Sequence, residues 1–237
     1  MTAPLLTVKK LCAWYGRAKI LYDVDLEVAR GEVVALMGRN GAGKSTTLKA
    51  VMGLLERTEG DVQFRGASLQ GCEPYRIARR GLGYVPEDRR VYAGLSVLEN
   101  LEVGRQPPRA GVPQWTTDRL FGVFPNLREM PDRTCASMSG GEQQMLTVAR
   151  TLMGNPCLVL LDEPSEGLAP KIVEDMANMI LELKKEGLSV LVSEQNLHFA
   201  RLVADRVYVI EKGHVRFHGT IAELAGNEAA RRAYLSV

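Results

Sequence analysis

The chain has 237 residues, 46% hydrophobic and 24% charged, with a formal net charge of +2; this is an ordinary globular composition, long enough for one large domain with a subdomain. No long basic or acidic block accompanies that charge, so nucleic acid is not an expected partner, and Arg79-Arg80 and Arg89-Arg90 read as solvated local pairs. Cys12, Cys72, Cys135 and Cys157 lie far apart without C-x-x-C spacing, which argues against a metal cluster or disulfide framework and predicts free thiols, as in a reducing cytosol. Met1 to Lys10 lacks the basic start and apolar stretch of a signal peptide, and no apolar run approaches the ~20 residues of a membrane span.

Up to about Ser68 the pattern is strand-rich, with alternating apolar positions around Leu5 to Leu11 and Val24 to Val28. Val33 to Met37 is a short apolar strand that runs into Gly38-Arg39-Asn40-Gly41-Ala42-Gly43-Lys44-Ser45, a match to G-x-x-x-x-G-K-[ST]. Ser45 to Met52 leaves it as a helix ended by Gly53. The glycines let backbone N–H groups converge on a phosphate chain, and the helix N-terminus adds a favourable dipole. Lys44 would place its charge on the outer phosphates and the Ser45 hydroxyl would ligate Mg²⁺.

Gly83-Tyr84-Val85 reads as a buried strand ending at Pro86, and from there to about Arg150 the signals are helical, interrupted by Pro and Gly. That stretch reads as an inserted helical subdomain, in which Gly104 to Trp115 is a loop by composition. Strand and helix then alternate, as in a parallel sheet with crossover helices. Leu158 to Leu161 is fully apolar, so Asp162 emerges at the sheet's C-terminal edge, where ligands bind in open α/β folds. There it can hold Mg²⁺ through the ion's water shell, and Glu163 can accept a proton from an attacking water. On Pro170 to Lys185 the residues Ile172, Val173, Met176, Met179, Ile180 and Leu183 recur at helical spacing, which predicts packing against the sheet. Ser189 to Ser193 and Val207 to Ile210 are further strands, Glu211 to His214 is a turn, and the C-terminal tail reads as short helices.

Ser139-Gly140-Gly141-Glu142-Gln143-Gln144, ahead of an amphipathic helix, closely resembles the signature motif of ATP-binding-cassette (ABC) ATPases, and nearly the whole chain fits that family. The resemblance implies an α/β P-loop cassette with a RecA-like parallel-sheet core, an N-terminal antiparallel β subdomain and an inserted α-helical subdomain. Residues 1–86 and 151–237 would form the β subdomain and nucleotide-binding core, and 87–150 the helical subdomain. ATP would contact Gly38, Arg39, Asn40, Gly41, Ala42, Gly43, Lys44, Ser45 and Thr46, with Mg²⁺ on Ser45 and Asp162. Ser139, Gly140, Gly141 and Glu142 would serve the γ-phosphate of ATP on an opposing subunit, so that two cassettes close head-to-tail over two nucleotides. Tyr15, after Trp14, resembles the aromatic that stacks on adenine, with core packing as a rival role. Val85-Pro86-Glu87 resembles the loop contacting both the γ-phosphate side and the transmembrane subunits, and Val192 to Asn196 resembles the switch loop, with Gln195 facing the γ-phosphate.

The family usually has Gln at Glu87, Leu at Met138, Asp at Ala169 and His at Gln195, and His198 lies too far along to replace that His. An amide can hydrogen-bond but cannot share a proton as imidazole does, which bears on hydrolysis at this chain's own site. Glu87-Asp88-Arg89-Arg90, Glu142-Gln143-Gln144-Met145, Asp162 to Pro170 and Ser193-Glu194-Gln195-Asn196 together resemble the second ATPase subunit of high-affinity branched-chain amino acid importers. The implied partners are a second ABC ATPase subunit, two transmembrane permease subunits and, indirectly, an extracytoplasmic substrate-binding protein. The implied location is peripheral, on the cytoplasmic face of the bacterial inner membrane. Two other readings stand beside this one: a weakly hydrolysing regulatory nucleotide-binding subunit, and a non-transport cassette such as one of iron–sulfur assembly.

Overall fold

The computed structural model describes residues 3–228, so the first two residues and the far end of the tail read above as short helices lie outside it. In chain order the elements are β1 (Leu6–Tyr15), β2 (Ala18–Val28), β3 (Val33–Met37), α1 (Lys44–Val51), β4 (Arg57–Phe64), β5 (Ala67–Ser68), α2 (Pro74–Arg79) and β6 (Leu82–Val85). There follow α3 (Val97–Gly104), α4 (Thr117–Val123), α5 (Pro125–Arg128), α6 (Gly140–Leu152), β7 (Leu158–Asp162) and α7 (Pro170–Lys185). The last are β8 (Ser189–Glu194), α8 (Leu197–Val203), β9 (Arg206–Glu211), β10 (His214–Thr220) and α9 (Ile221–Gly226).

Two sheets organise them. An antiparallel sheet has the order β2-β1-β4-β5, and a six-stranded sheet has the order β10-β9-β3-β8-β7-β6. In the second, β9, β3, β8, β7 and β6 are parallel to their neighbours and only β10 is antiparallel, turning back on β9 at the Glu211 to His214 turn. β10 corrects the expectation of short helices directly after that turn: His214–Thr220 pairs with β9 as a strand, and only Ile221–Gly226 is helical in the described part of the tail; α2 is too short for its local pattern to announce it.

The parallel strands are apolar on both faces because each face meets its own core. Val33, Ala35 and Met37 of β3 point into one cluster, and Val34 and Leu36 into the other. Val159 and Leu161 of β7 divide from Leu158 and Leu160 in the same way. This is period-two geometry in a doubly covered sheet. One core is roofed by α6 and α7, the latter through Met176, Met179, Ile180 and Leu183; the other is closed by α1 and the antiparallel sheet through Leu6, Leu21, Leu48 and Phe64. Each such side chain, fully buried, contributes roughly 1.5–3 kcal/mol.

Residues 105–116 are irregular, close to the Gly104 to Trp115 loop expected from composition, with Gly104 itself ending α3; yet the segment is pinned. Trp115 is 2% exposed. The Asn155 amide, at a left-handed φ of +49°, accepts from Trp115 N at 2.7 Å and donates to Gln106 O at 2.9 Å. A buried asparagine thus does for this strap what a sheet ladder does for a strand.

Candidate functional site

The loop from Gly38 to Lys44 joins β3 to α1 at the C-terminal edge of the parallel strands. Gly43, the residue before α1, has φ +115°, and a Cβ there would lie 2.8 Å from Leu21 Cδ2, so only glycine makes the turn that starts the helix. Arg39, Asn40 and Gly41 are exposed at the tip, Ser45 is half-buried, and Ala42, Gly43 and Thr46 are buried beneath. Lys44 is 3% exposed. Its Nζ donates to Gly38 O at 2.8 Å and Arg39 O at 3.1 Å and pairs with Glu163 Oε1 at 3.1 Å.

Asp162 closes β7 and is 1% exposed. Its Oδ1 accepts from Ser45 Oγ at 2.8 Å and Ser193 Oγ at 2.7 Å, and its Oδ2 accepts from Tyr84 OH at 3.1 Å. These three donors are hydroxyls and carry no charge, so a buried carboxylate is solvated without being neutralised. Burial, then the Asp162 charge, push the Tyr84 phenol well above the ordinary tyrosine range, which keeps it a donor. A Mg²⁺ ion bound through nucleotide phosphates takes one or two protein oxygens and keeps several waters, which is what Asp162 and Ser45 offer. Among the described residues no group of three or more His, Cys, Asp or Glu forms a self-sufficient metal cage.

Glu163 takes φ +46°, an uncommon conformation for a residue with a Cβ. The strained turn is held by its own N–H, which donates to Ser193 O at 3.1 Å and Ser193 Oγ at 3.0 Å. Its carboxylate therefore turns towards Lys44 on one oxygen, while Gln195 Nε2 donates weakly to the other at 3.5 Å. The neighbouring Glu194 carboxylate accepts from Ser165 N and Asn196 N, and burial raises its pKa. On the far side, hydrogen bonding with the Glu163 carboxyl, then burial, push Glu166 up to about 7.

Ser139 caps α6. Its Oγ accepts from Glu142 N at 3.3 Å while Glu142 Oε2 accepts from Ser139 N at 2.6 Å, a reciprocal capping box. The Arg89 guanidinium crosses so close to Gly140 that a Cβ there would collide with it, and Ile172 Cγ2 would lie 3.0 Å from a Cβ on Gly141. The side-chain bonds of Ser139 and Glu142 close the turn on itself and reach Arg133, whereas Lys44, Glu163 and Gln195 are joined to one another and, through Ser193, to Asp162 and Ser45. The structure thus gathers the loop, the acidic pair and Gln195 into one constellation and leaves the 139–142 turn as a second one.

Tyr15 ends β1 and is 48% exposed, so core packing is not its role. Glu87 is exposed beyond the end of β6. Beside it a cavity of about 890 Å³ is lined by Leu54, Tyr75, Tyr92 and Val103, all large and exposed, by Tyr84, and by Arg79, Arg90 and Arg150. Tyr84 and Ser193 are the functional residues the motifs did not reveal. The only signal for them is register: Ser193 stands opposite Asp162 across β7 and β8, and Tyr84 opposite Leu160 across β6 and β7.

The family model described as ABC transporter matches residues 21–166. The chain is 42% identical over 231 residues, 98% of its length and 99% of the relative's, to the high-affinity branched-chain amino acid transport ATP-binding protein BraG of Pseudomonas aeruginosa. It is 35% identical to the lipopolysaccharide export system ATP-binding protein LptB of Escherichia coli, covering 97% of this chain and 96% of that one. Among solved structures, the ADP conformation of MJ1267, an ATP-binding cassette of an ABC transporter, superposes with a TM-score of 0.82 at 27% identity, covering 98% of both chains.

Proposed function

This chain belongs to the ABC transporter family, with the cassette fold of its ATP-binding subunits, and from that premise we propose that it couples ATP hydrolysis to import of branched-chain or related amino acids. The observation that carries the substrate class is the identity to BraG, which runs end to end and exceeds the identity to the exporter subunit LptB. The observation that carries the chemistry is the Lys44–Glu163 pair at the mouth of the glycine loop. Lys44 spends its donors on Gly38, Arg39 and Glu163; an arriving triphosphate offers it better acceptors and frees the Glu163 carboxylate.

In this reading the N–H groups of Gly41 to Thr46 and the Lys44 ammonium hold the phosphates, and Tyr15 offers its exposed ring to adenine. Bound Mg²⁺ would supply charge neutralisation on the phosphate oxygens, held by Ser45 and Asp162. Glu163 accepts the proton of the attacking water, with Gln195 at the γ-phosphate side. Ser139, Gly140 and Gly141, with Glu142 fixing the turn, complete the site of a second cassette, homologous or identical. The exposed apolar groove beside Glu87 receives a transmembrane permease subunit, and an extracytoplasmic binding protein delivers the substrate. Among the described residues no helix is long and apolar enough to cross a membrane; in this reading the chain is peripheral to the inner membrane and meets the permease at that groove.

Glu163→Gln tests the base. ATP binding should persist, closed dimers should accumulate, and turnover of the assembled complex should fall about 100-fold or more; unchanged turnover would remove Glu163 from the role. Loss of radiolabelled leucine uptake on deleting the chain, restored by the wild type, tests the substrate class.

Gln195 favours a second reading, in which this chain binds ATP but hydrolyses it weakly, because its amide reaches Glu163 only at 3.5 Å and cannot share a proton. Turnover in a complex whose partner cassette lacks its own base discriminates between the two: activity that survives belongs to this chain's Glu163.

A further inference from the structure

Tyr84 occupies two environments. It lies on β6, the edge strand of the parallel sheet, with its ring partly buried against the second core and forming part of the wall of the apolar groove. Its hydroxyl ends on Asp162 Oδ2 at 3.1 Å. Of the three hydroxyls on that carboxylate, Ser45 belongs to the phosphate loop and Ser193 is locked at 0% exposure, where it also accepts from Glu163 N. Tyr84 is the one that shares a wall with the exposed surface, beside Tyr92, Val103 and Pro86. One side chain thus both lines the groove and donates to the carboxylate.

We propose that Tyr84 is a positioning residue for Asp162 and links the groove to the metal side of the nucleotide site, so that a permease segment seated in the groove alters how firmly Asp162 is aimed. This rests on the reading of Asp162 as the carboxylate that holds Mg²⁺. A residue that orients a metal-holding carboxylate through a hydrogen bond commonly changes metal affinity by about 10–100-fold when removed. Tyr84→Phe deletes only the hydroxyl and keeps the ring that packs on the core and borders the groove.

The experiment is a titration of Mg²⁺ against binding of a fluorescent ATP analogue to the full chain. In Tyr84→Phe the Mg²⁺ midpoint should rise on the order of 10-fold, while metal-free binding of the analogue and the melting temperature stay as in the wild type. A purely structural tyrosine would shift the melting temperature and leave the midpoint alone. Asp162→Asn is the control. If Asp162→Asn raises the midpoint and Tyr84→Phe does not, the positioning role is overturned while the metal reading stands. If neither moves it, the metal reading itself fails and the proposal with it. The second arm repeats the titration on the assembly purified through a tag on this chain. The wild-type midpoint should differ between assembly and free chain, and the difference should vanish in Tyr84→Phe. A midpoint indifferent to assembly, or a difference that survives loss of the hydroxyl, overturns the link to the groove.

Discussion

The 38–46 loop and the 139–142 turn both present a helix N-terminus, and they satisfy it in opposite ways. At α1 the preceding residue is a left-handed glycine with no capping side chain, and the first turn carries Lys44 and Ser45, bonded to Glu163 and Asp162. At α6 the serine and glutamate close the turn on themselves, and the partly exposed glycines lie under Arg89 and against Ile172. The first arrangement leaves backbone donors for a ligand within a ring of the chain's own charged groups. The second is rigid before any ligand arrives and has no carboxylate or lysine of the first ring among its hydrogen-bond partners. A face that is stiff but chemically incomplete suits service to another molecule's nucleotide.

The sharpest way to break this contrast is Lys44→Ala. It removes the cation and leaves Glu163 buried without it, so binding of an ATP analogue to the free chain should weaken on the order of 100-fold; retained affinity in equilibrium titration would mean the loop alone makes the site. Ser139→Ala should do the reverse. It costs the cap about 1 kcal/mol in urea or thermal melts and leaves binding to the free chain intact, but it should diminish ATP-dependent dimerisation measured by light scattering. Equal damage to both kinds of binding would merge the two constellations into one. The smallest effect belongs to Glu166→Gln. With Glu166 raised to about 7, the folded state holds that proton more tightly than the unfolded chain. The resulting stability is therefore complete below the ordinary carboxyl range and is lost as pH rises through about 7. Over the same window Glu166 gives up the proton it shares in its hydrogen bond with the Glu163 carboxylate, which leaves that carboxylate a freer acceptor, so wild-type turnover should climb through about pH 7. The climb should be missing from that window in Glu166→Gln, as read from the pH profile of turnover in the assembled complex.

Much of the phosphate-loop side was legible because its signals are local. A run of apolar residues, a glycine pattern and a lysine-serine pair lie within a dozen positions, and the strand ending at Asp162 announces its own carboxylate. The 139–142 turn was legible for the same reason, since a capping box is written in four consecutive residues. Tyr84 and Ser193 were not, because each reaches Asp162 from a different strand, and only the parallel register sets Ser193 opposite Asp162 and Tyr84 opposite Leu160, two residues before it. Trp115 and Asn155 escaped for a related reason: proline and glycine marked 104–115 as irregular, but composition is silent on whether an irregular segment is anchored. Tyr15 had two readings in the sequence, and its exposure removes core packing.

β3 divides its side chains between two cores by parity, three to one side and two to the other, and then hands over directly to Gly38. A five-residue strand under that constraint behaves as a ruler. Substitutions that keep size should be absorbed, but one residue inserted between Val33 and Met37 would send the β3 side chains beyond it to the opposite core and rotate the glycine loop to the wrong side of the sheet. An added or deleted residue should therefore be tolerated at the exposed turns, where no count of residues is being kept, and not in this strand.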